Sequence, residues 1–170
     1  MKAIVIFFSR ADENYFGGAL RYINKGNTEI VAEEIQKITN ADLFKVERKI
    51  DYAKDYMTCI EEAKVEQKDR ARPELKAYLD DISNYDVIFI GSPIYWGTMP
   101  QPMFTELERL DFNNKIIMPF TTHEGSGFAN VVKDIKAITK GAVIKEGLAI
   151  VGSKVSKSKE QIERWIKNNL

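Results

Sequence analysis

The sequence predicts a doubly wound α/β fold, with helices on both faces of a five-stranded parallel sheet. Short apolar runs recur along the 170 residues, segments of helical periodicity alternate with them, and no repeat, low-complexity tract or linker interrupts the pattern. This alternation is typical of parallel sheets, because a crossover between parallel strands usually takes a helix. We therefore expect one domain over residues 1–170, with right-handed crossovers and the strand order 2-1-3-4-5.

Five runs supply the predicted strands. Four are almost continuously apolar, as expected for strands covered on both faces: Ala3–Phe8, Val87–Ile90, Ile116–Phe120 and Leu148–Val151. The weaker run Asp42–Val46 fits an edge strand.

Helical periodicity fills the intervals between these runs. Proline suits a first helical position, so Pro73 is predicted to start a helix whose inner face carries Leu75, Leu79 and Ile82. The other predicted helices are Thr28–Thr39, Tyr52–Arg70, Phe104–Leu110, Asn130–Ile138 and Lys159–Asn168.

Composition excludes several classes of protein. Lys+Arg and Asp+Glu both count 25, and a chain without a basic excess does not suggest nucleic-acid or anionic-membrane partners. Cys59 is the only cysteine, which excludes an intrachain disulfide, and one cysteine with one histidine cannot build a zinc site. The apolar run Ala3–Phe8 is too short for a signal peptide or a membrane span. A cytoplasmic protein without a bound metal is expected.

In the predicted order, the loops after strands 1, 3 and 4 share one rim of the sheet, where such folds bind ligands. The first loop runs from Ser9 and Arg10 to a helix that begins at Asn27 and Thr28. The unpaired N–H groups and positive end of a helix N-terminus attract phosphate. The alternative is that Asn27 or Thr28 only caps the helix.

The second and third loops offer a surface for a flat ring. Tyr95 and Trp96 follow strand 3, and their aromatic faces could stack on an apolar ring system. As ligand-facing rings they are expected to contribute little to the core; the alternative is an ordinary turn with both rings tucked onto it. The third loop contains Gly125 and Gly127, whose backbone could lie along a ligand edge, although Ser126 could be a plain N-cap.

Other doubly wound functions lack their motifs. There is no Gly-x-Gly-x-x-Gly and no Gly-x4-Gly-Lys-Ser/Thr, so neither a dinucleotide fingerprint nor a P-loop is present. His123 and Ser126 do not indicate a hydrolase, because Glu124-Gly125-Ser126-Gly127 misses the first glycine of the nucleophile elbow. No catalytic residue is assigned.

Together the three loops resemble the flavodoxin family, through Ser9-Arg10 followed by Asn27-Thr28, the run Gly91–Gly97 and the run Thr122–Gly127. The segments Asp55-Tyr56 and Ala71-Arg72-Pro73 resemble a bacterial branch with an interrupted phosphate-binding loop. The similarity extends over essentially the whole chain. Flavodoxins usually keep Ser/Thr-x-Thr-Gly-Asn-Thr in one tight loop, whereas residues 11–26 here separate Ser9 from Asn27. Which residues of this insertion touch phosphate is left open.

The resemblance implies a flavodoxin-like fold and one non-covalently bound FMN. The residues that match the family's contacts are Ser9, Arg10, Asn27 and Thr28 for the phosphate, Pro93, Ile94, Tyr95, Trp96 and Gly97 for the ring, and Thr122, His123, Glu124, Gly125 and Gly127 for its other edge.

The resemblance also implies electron transfer, with a redox partner protein or an NAD(P)H-linked reductase as partner. Electron-carrier flavodoxins are typically strongly acidic, and this chain has zero net charge. A small NAD(P)H-dependent quinone or nitro reductase with bound FMN is therefore the alternative. Both a monomer and a homodimer fit the sequence.

Overall fold

A parallel sheet forms the centre of the molecule. The computed structural model describes all residues from Met1 to Leu170. Numbered along the chain, its strands span Ala3–Phe7 (β1), Asp42–Lys45 (β4), Val87–Pro93 (β5), Ile116–His123 (β6), Val143–Ile144 (β7) and Leu148–Val151 (β8). The sheet order is β4-β1-β5-β6, with the two short strands β7 and β8 beside β6 at the far edge. The predicted doubly wound fold and the order 2-1-3-4-5 are confirmed.

The fifth strand of that order is divided in two. β7 pairs with the start of β6 at Ile116 and Ile117, and β8 pairs with its end from Phe120 to His123, all in parallel. Only the β8 half was predicted from the sequence. The division leaves β8 beside the carboxyl end of β6, so the loops after both strands meet at the same rim.

Helices cover the sheet on both faces, and a separate apolar core lies under each set. Helices α1 (Asn27–Thr39) and α5 (Lys159–Asn169) pack on one face, where Val31, Ile35 and Trp165 are buried. The opposite face carries α2 (Tyr56–Lys68), α3 (Gln101–Leu107) and α4 (Val131–Ile138).

No helix is both long enough and apolar enough to cross a membrane.

The helix predicted to start at Pro73 is absent. Residues 71–83 run irregularly, and their backbone bonds to other segments replace a helical ladder. Lys49 donates its N–H to the Glu74 carbonyl (2.8 Å), and Leu79 donates to Glu106 Oε1 (2.8 Å). Leu75 and Ile82 are nevertheless buried, as predicted. The apolar spacing therefore predicted correctly which side chains are buried. It did not require a helix, because the backbone N–H and C=O groups of this segment form hydrogen bonds with other segments instead.

Two other helices differ in their bounds. The helix predicted from Tyr52 begins at Tyr56, because Asp55 accepts the N–H of Thr58 (2.8 Å) as an N-cap. The helix predicted from Phe104 begins three residues earlier, at Gln101, directly after Pro100.

The insertion folds as a two-stranded antiparallel hairpin outside the main sheet. Its strands are β2 (Asp12–Phe16) and β3 (Ala19–Ile23). Gly17 and Gly18 form the two-residue turn with φ of 62° and 92°, the sign that a tight hairpin turn of the primed type requires at both positions. The hairpin lies over the carboxyl ends of the main strands, beside the start of α2.

Candidate functional site

A pocket of about 290 Å³ lies beyond the carboxyl ends of β1, β5 and β6. This is the rim at which open α/β sheets bind ligands. Its walls come from the segment that follows β1, the hairpin, the starts of α1 and α2, the loops that follow β5 and β6, and the first residue after β8. The lining residues are Ser9, Arg10, Asn14, Tyr15, Asn27, Thr28, Tyr56, Pro93, Ile94, Tyr95, Thr122, His123, Glu124, Ser126 and Gly152.

The N-terminus of α1 forms the polar end of this pocket. Ser9 Oγ accepts the N–H of Glu29 (3.0 Å), while the N–H groups of Asn27 and Thr28 have no acceptor within the helix. The buried Thr28 hydroxyl lies 2.8 Å from the Thr122 hydroxyl, so one donates to the other and a hydrogen remains for a ligand. This arrangement suits an anion.

Gly26, directly before α1, has no room for a side chain. A Cβ there would overlap Ser9 Oγ and would lie 2.8 Å from both the N and the O of Arg10. The close approach of residue 26 to the strand that ends at Ser9 therefore depends on glycine. Gly26 was not among the predicted site residues, because only the folded chain brings it against Ser9.

Arg10 holds the hairpin in place rather than pointing its charged fork into the pocket. Its NH1 donates to the Glu13 carbonyl (2.5 Å), and its NH2 donates to the carbonyls of Ala53 and Lys54 (2.7 Å each). Glu13 Oε1 accepts the N–H of Tyr56 (2.9 Å), which fixes the hairpin to the first residue of α2. Only Nε of Arg10, which is buried, has no hydrogen-bond partner.

We expect Arg10→Lys to loosen the hairpin. An ammonium group cannot reproduce the planar fork that reaches three carbonyls, and each hydrogen bond to a charged group contributes about 1.5–3 kcal/mol. Amide hydrogen exchange over residues 12–23 should therefore accelerate by about tenfold or more. Arg21→Lys is the matched control, because Arg21 lies on the same hairpin, is exposed and makes no side-chain hydrogen bond. Equal exchange in the two variants would contradict this role of Arg10.

The loop after β5 makes a tight turn at Trp96 and Gly97. Tyr95 and Thr98 exchange backbone hydrogen bonds across it (2.7 and 3.3 Å), and Trp96 and Gly97 have φ of 53° and 82°. These are the angles of a type I′ turn, which glycine adopts without a Cβ penalty. The N–H groups of Trp96 and Gly97 make no hydrogen bond within the protein. They are available to a ligand's acceptor atoms.

The two aromatic side chains of this loop behave differently. Tyr95 packs edge-to-face on Phe8 and Tyr52, with ring centroids 5.6 and 5.9 Å apart, and it contacts the core under α2. The expectation that it contributes little to the core is therefore wrong: strand β1 and the segment before α2 bring two aromatic rings against it. Burial raises the pKa of the Tyr95 phenol, so it remains a hydrogen-bond donor at neutral pH.

Trp96 lies outside the main pocket. Its indole Nε1 donates to the Ile60 carbonyl (2.7 Å), and its own carbonyl accepts from Gln67 Nε2 (2.8 Å), so the residue is held against α2. The side chain is 44% exposed. It lines a second, smaller pocket beside the first.

The loop after β6 supplies the remaining wall. His123 Nδ1 accepts the N–H of Gly125 (2.9 Å), which bends the chain directly after the strand. Glu124 Oε1 is buried and has no hydrogen-bond partner. A Cβ on Gly152, which begins a 3₁₀ helix after β8, would lie 2.9 Å from this oxygen and 2.5 Å from Asn27 Nδ2. A buried carboxyl oxygen without a donor is costly, and a ligand hydroxyl or N–H would satisfy it.

Ten of the fourteen predicted site residues line the main pocket. The four that do not are Trp96, Gly97, Gly125 and Gly127. Five lining residues were not predicted: Asn14, Tyr15, Tyr56, Ser126 and Gly152. Asn14 and Tyr15 belong to the hairpin, where the sequence contains no motif that indicates ligand binding. Gly152 had a detectable signal, since it follows a predicted strand at the same rim.

The pocket fits an elongated ligand with an anionic end. Two of the lining residues, Arg10 and Glu124, each have a buried polar atom without a partner, and Gly152 leaves room beside Asn27 and Glu124 where a Cβ would intrude. The α1 N-terminus can receive the anionic end, with Thr122 and Glu124 close beside it, and the loop after β5 lines the rest of the pocket.

Comparison with known proteins agrees with this architecture. A family model described as flavodoxin matches residues 19–169. A protein from Bacteroides uniformis ATCC 8492, described as a flavoprotein, is 25% identical with a TM-score of 0.75, over 98% of this chain and 97% of its own. A second, from Bacteroides eggerthii DSM 20697, is 26% identical with a TM-score of 0.71, over 95% and 97% of the two chains.

A flavoprotein in complex with FMN from Lactobacillus acidophilus NCFM shares the fold at 22% identity and a TM-score of 0.63, over 92% of this chain and 97% of its own. No curated protein matches the sequence. The family model covers far more than half of the 170 residues, and it includes both loops that flank the pocket. The chain therefore belongs to the flavodoxin family.

Proposed function

We propose that the main pocket binds one FMN non-covalently and that the protein transfers electrons through it. The observation that carries the proposal is the helix N-terminus at Asn27 and Thr28, which opens into a pocket whose far walls are the β5 and β6 loops. FMN carries a phosphate at one end and a flat ring at the other, which fits the helix N-terminus and the loop walls of this pocket. The Lactobacillus acidophilus flavoprotein, which has the same fold, binds FMN and supports the choice of flavin.

The phosphate is held mainly by neutral donors. Ser9, Asn27 and Thr28 supply hydroxyl, amide and backbone N–H groups, and the helix N-terminus adds a partial charge of about +0.5. Arg10 has only Nε to offer, and Lys25 is paired with Glu33 (2.7 Å) on the surface. Of the insertion, Asn14 and Tyr15 cover the pocket, whereas the basic residues Arg21 and Lys25 do not line it.

The ring lies between the β5 and β6 loops in this proposal. Pro93, Ile94 and Tyr95 provide one surface. The backbone N–H groups of Trp96 and Gly97, in the turn beside this surface, make no hydrogen bond within the protein, but neither residue lines the main pocket. Bound FMN supplies one- and two-electron redox chemistry, for which the protein fixes the position of the ring and covers the ribityl chain.

We expect Thr28→Ala to weaken FMN binding by about tenfold, the effect of losing a charge-assisted hydrogen bond of about 1–2 kcal/mol. Affinity for riboflavin, which lacks the phosphate, should change far less. Fluorescence titration of flavin-free protein measures both constants. Thr39→Ala is the matched control, because Thr39 lies at the opposite end of the same helix. An equal loss for both flavins would place the phosphate elsewhere.

The zero net charge favours a second candidate, an NAD(P)H-dependent reductase that carries FMN, since an electron carrier that docks on basic partners is typically acidic. Anaerobic mixing of the FMN-loaded protein with NAD(P)H distinguishes the two. Direct bleaching of the flavin supports the reductase. Bleaching only after a partner reductase is added supports the carrier.

A further inference from the structure

The hairpin of residues 12–23 crosses the rim of the sheet from one face to the other. At its base, Glu13 Oε1 accepts the N–H of Tyr56, the first residue of α2 (2.9 Å). Its tip reaches the 3₁₀ helix after β8, where a Cβ on Gly17 would lie 3.6 Å from the Cβ of Ser153. That 3₁₀ helix packs with α1 and α5 on the face opposite α2. The hairpin therefore bridges the two sides of the main pocket.

The main pocket lies beneath this bridge. Tyr56 at the base end and Gly152 at the tip end both line the pocket, and so do Asn14 and Tyr15 of β2. The Tyr15 side chain is 45% exposed, so it stands at the outer boundary of the pocket. A ligand that lies along the N-terminus of α1 is therefore covered by the hairpin.

The hairpin has no buried core of its own. None of the residues in β2 or β3 is buried. A two-stranded hairpin is at best marginally stable by itself in water, and segments with few buried apolar contacts open locally at a low free energy while the rest of the fold stays intact. The position of the hairpin therefore depends on its attachments to the rest of the protein.

These attachments are concentrated at the base. The Arg10 guanidinium donates to the carbonyl of Glu13 and to two carbonyls of the segment before α2. The N–H of Glu13 donates to the Lys54 carbonyl (3.1 Å). By contrast, no residue from 16 to 23 forms a hydrogen bond with a residue outside the hairpin. The tip therefore lies beside Ser153 without a hydrogen bond, and it can lift while the base stays attached.

We propose that the hairpin is a flap whose tip lifts from the 3₁₀ helix to admit FMN and then closes over it, so that this motion sets the rates of FMN binding and release. Closure keeps water away from the phosphate, which the chain holds mainly with neutral donors, and slow opening retains a ligand that is not covalently attached. The inference rests on the proposed function, because FMN in the main pocket is the ligand that the flap covers.

A disulfide between the tip and the 3₁₀ helix would lock this flap. The 3.6 Å between the two Cβ positions lies within the range that disulfides span, so Gly17→Cys together with Ser153→Cys should cross-link on oxidation. The native Cys59 is buried on α2 and does not compete. The φ of 62° at Gly17 strains a cysteine there. The reduced form of the same variant carries the same strain, which makes it the matched control.

FMN association is followed by stopped-flow fluorescence, and FMN release by dilution, in the oxidised and the reduced forms of this variant. We expect both rate constants to be lower in the oxidised form by about tenfold or more and to recover on reduction with a phosphine. Equal rate constants in the two forms overturn the flap. So does slower release with unchanged association, because the cross-link then only tightens the site. Failure of the two introduced cysteines to pair also overturns it, since the tip then does not lie at Ser153.

A second variant decides the question if the cysteine variant does not fold. It replaces residues 15–20 by two glycines, which joins the paired residues Asn14 and Arg21 through a two-residue turn and removes the tip. Both rate constants should then exceed those of the wild type by about tenfold or more. Unchanged association contradicts the flap, even where release is faster. If FMN binds to none of these proteins, the proposed function fails and the flap fails with it, whereas equal rate constants reject the flap and leave FMN binding in place.

Discussion

Replacing Gly26 by alanine is expected to reduce FMN affinity by roughly 100-fold or more. The new methyl group would overlap Ser9 Oγ and press on the N and O of Arg10 at 2.8 Å, and backbone atoms cannot move aside cheaply. Ser9 and the first turn of α1 must then separate. The phosphate would lose at least two charge-assisted hydrogen bonds, each contributing about 1.5–3 kcal/mol.

The φ of Gly26 is −64°, so alanine is allowed there by its backbone and the effect is steric. Gly18→Ala is the control: Gly18 has φ of 92° at the hairpin tip, with no atom within 4 Å of a Cβ, so only a strain of about 1–2 kcal/mol is expected. Flavin titration of both variants, with circular dichroism to verify the fold, decides the matter. Normal FMN affinity in Gly26→Ala would show that the phosphate does not bind at this end of α1.

Tyr95→Ala is expected to destabilise the flavin-free protein by about 2–4 kcal/mol, somewhat less than the loss of a fully buried aromatic ring, because the Tyr95 ring is partly buried against the core. The ring contacts Phe8 and Tyr52 edge-to-face, and its removal leaves a cavity between β1 and α2. Trp96→Ala, one residue further along, removes a larger but 44% exposed side chain. Its cost should stay near 1 kcal/mol, the contribution of the single indole hydrogen bond to Ile60.

Urea unfolding of the two variants without FMN separates these outcomes. A larger loss in Trp96→Ala than in Tyr95→Ala would contradict the assignment of Tyr95 to the core and of Trp96 to the edge of the second pocket.

The sheet was predictable because its strands are buried on both faces. Continuous apolar runs such as Ala3–Phe8 and Val87–Ile90 are difficult to place in any other setting, and the alternating helices fixed their order. The helix at Pro73 failed because residues 71–83 bury Leu75 and Ile82 at a helical spacing while their backbone bonds reach Glu47, Lys49 and Glu106. Apolar periodicity predicts which side chains are buried, but it does not predict which groups form hydrogen bonds with the backbone.

The sequence predicted the loops at the strand ends that line the pocket, but it did not predict the hairpin that covers the pocket. Ser9, Thr28 and Thr122 follow or begin regular elements at one rim, so topology alone brings them together. The positions of Arg10 and Tyr95 were not accessible in this way. Arg10 is an obvious cation for a phosphate, yet three backbone carbonyls of the hairpin and of the segment before α2 engage it. Such long-range backbone contacts have no local pattern.

The most direct test of the central claim is a flavin-retention measurement. Flavin-free protein is mixed with an excess of FMN or of riboflavin, passed through a desalting column, and its visible absorption is recorded. We expect one FMN per chain to be retained and riboflavin to be largely lost, because only FMN carries the anion that the N-terminus of α1 receives. Failure to retain FMN, or equal retention of the two flavins, would contradict the assignment of this pocket.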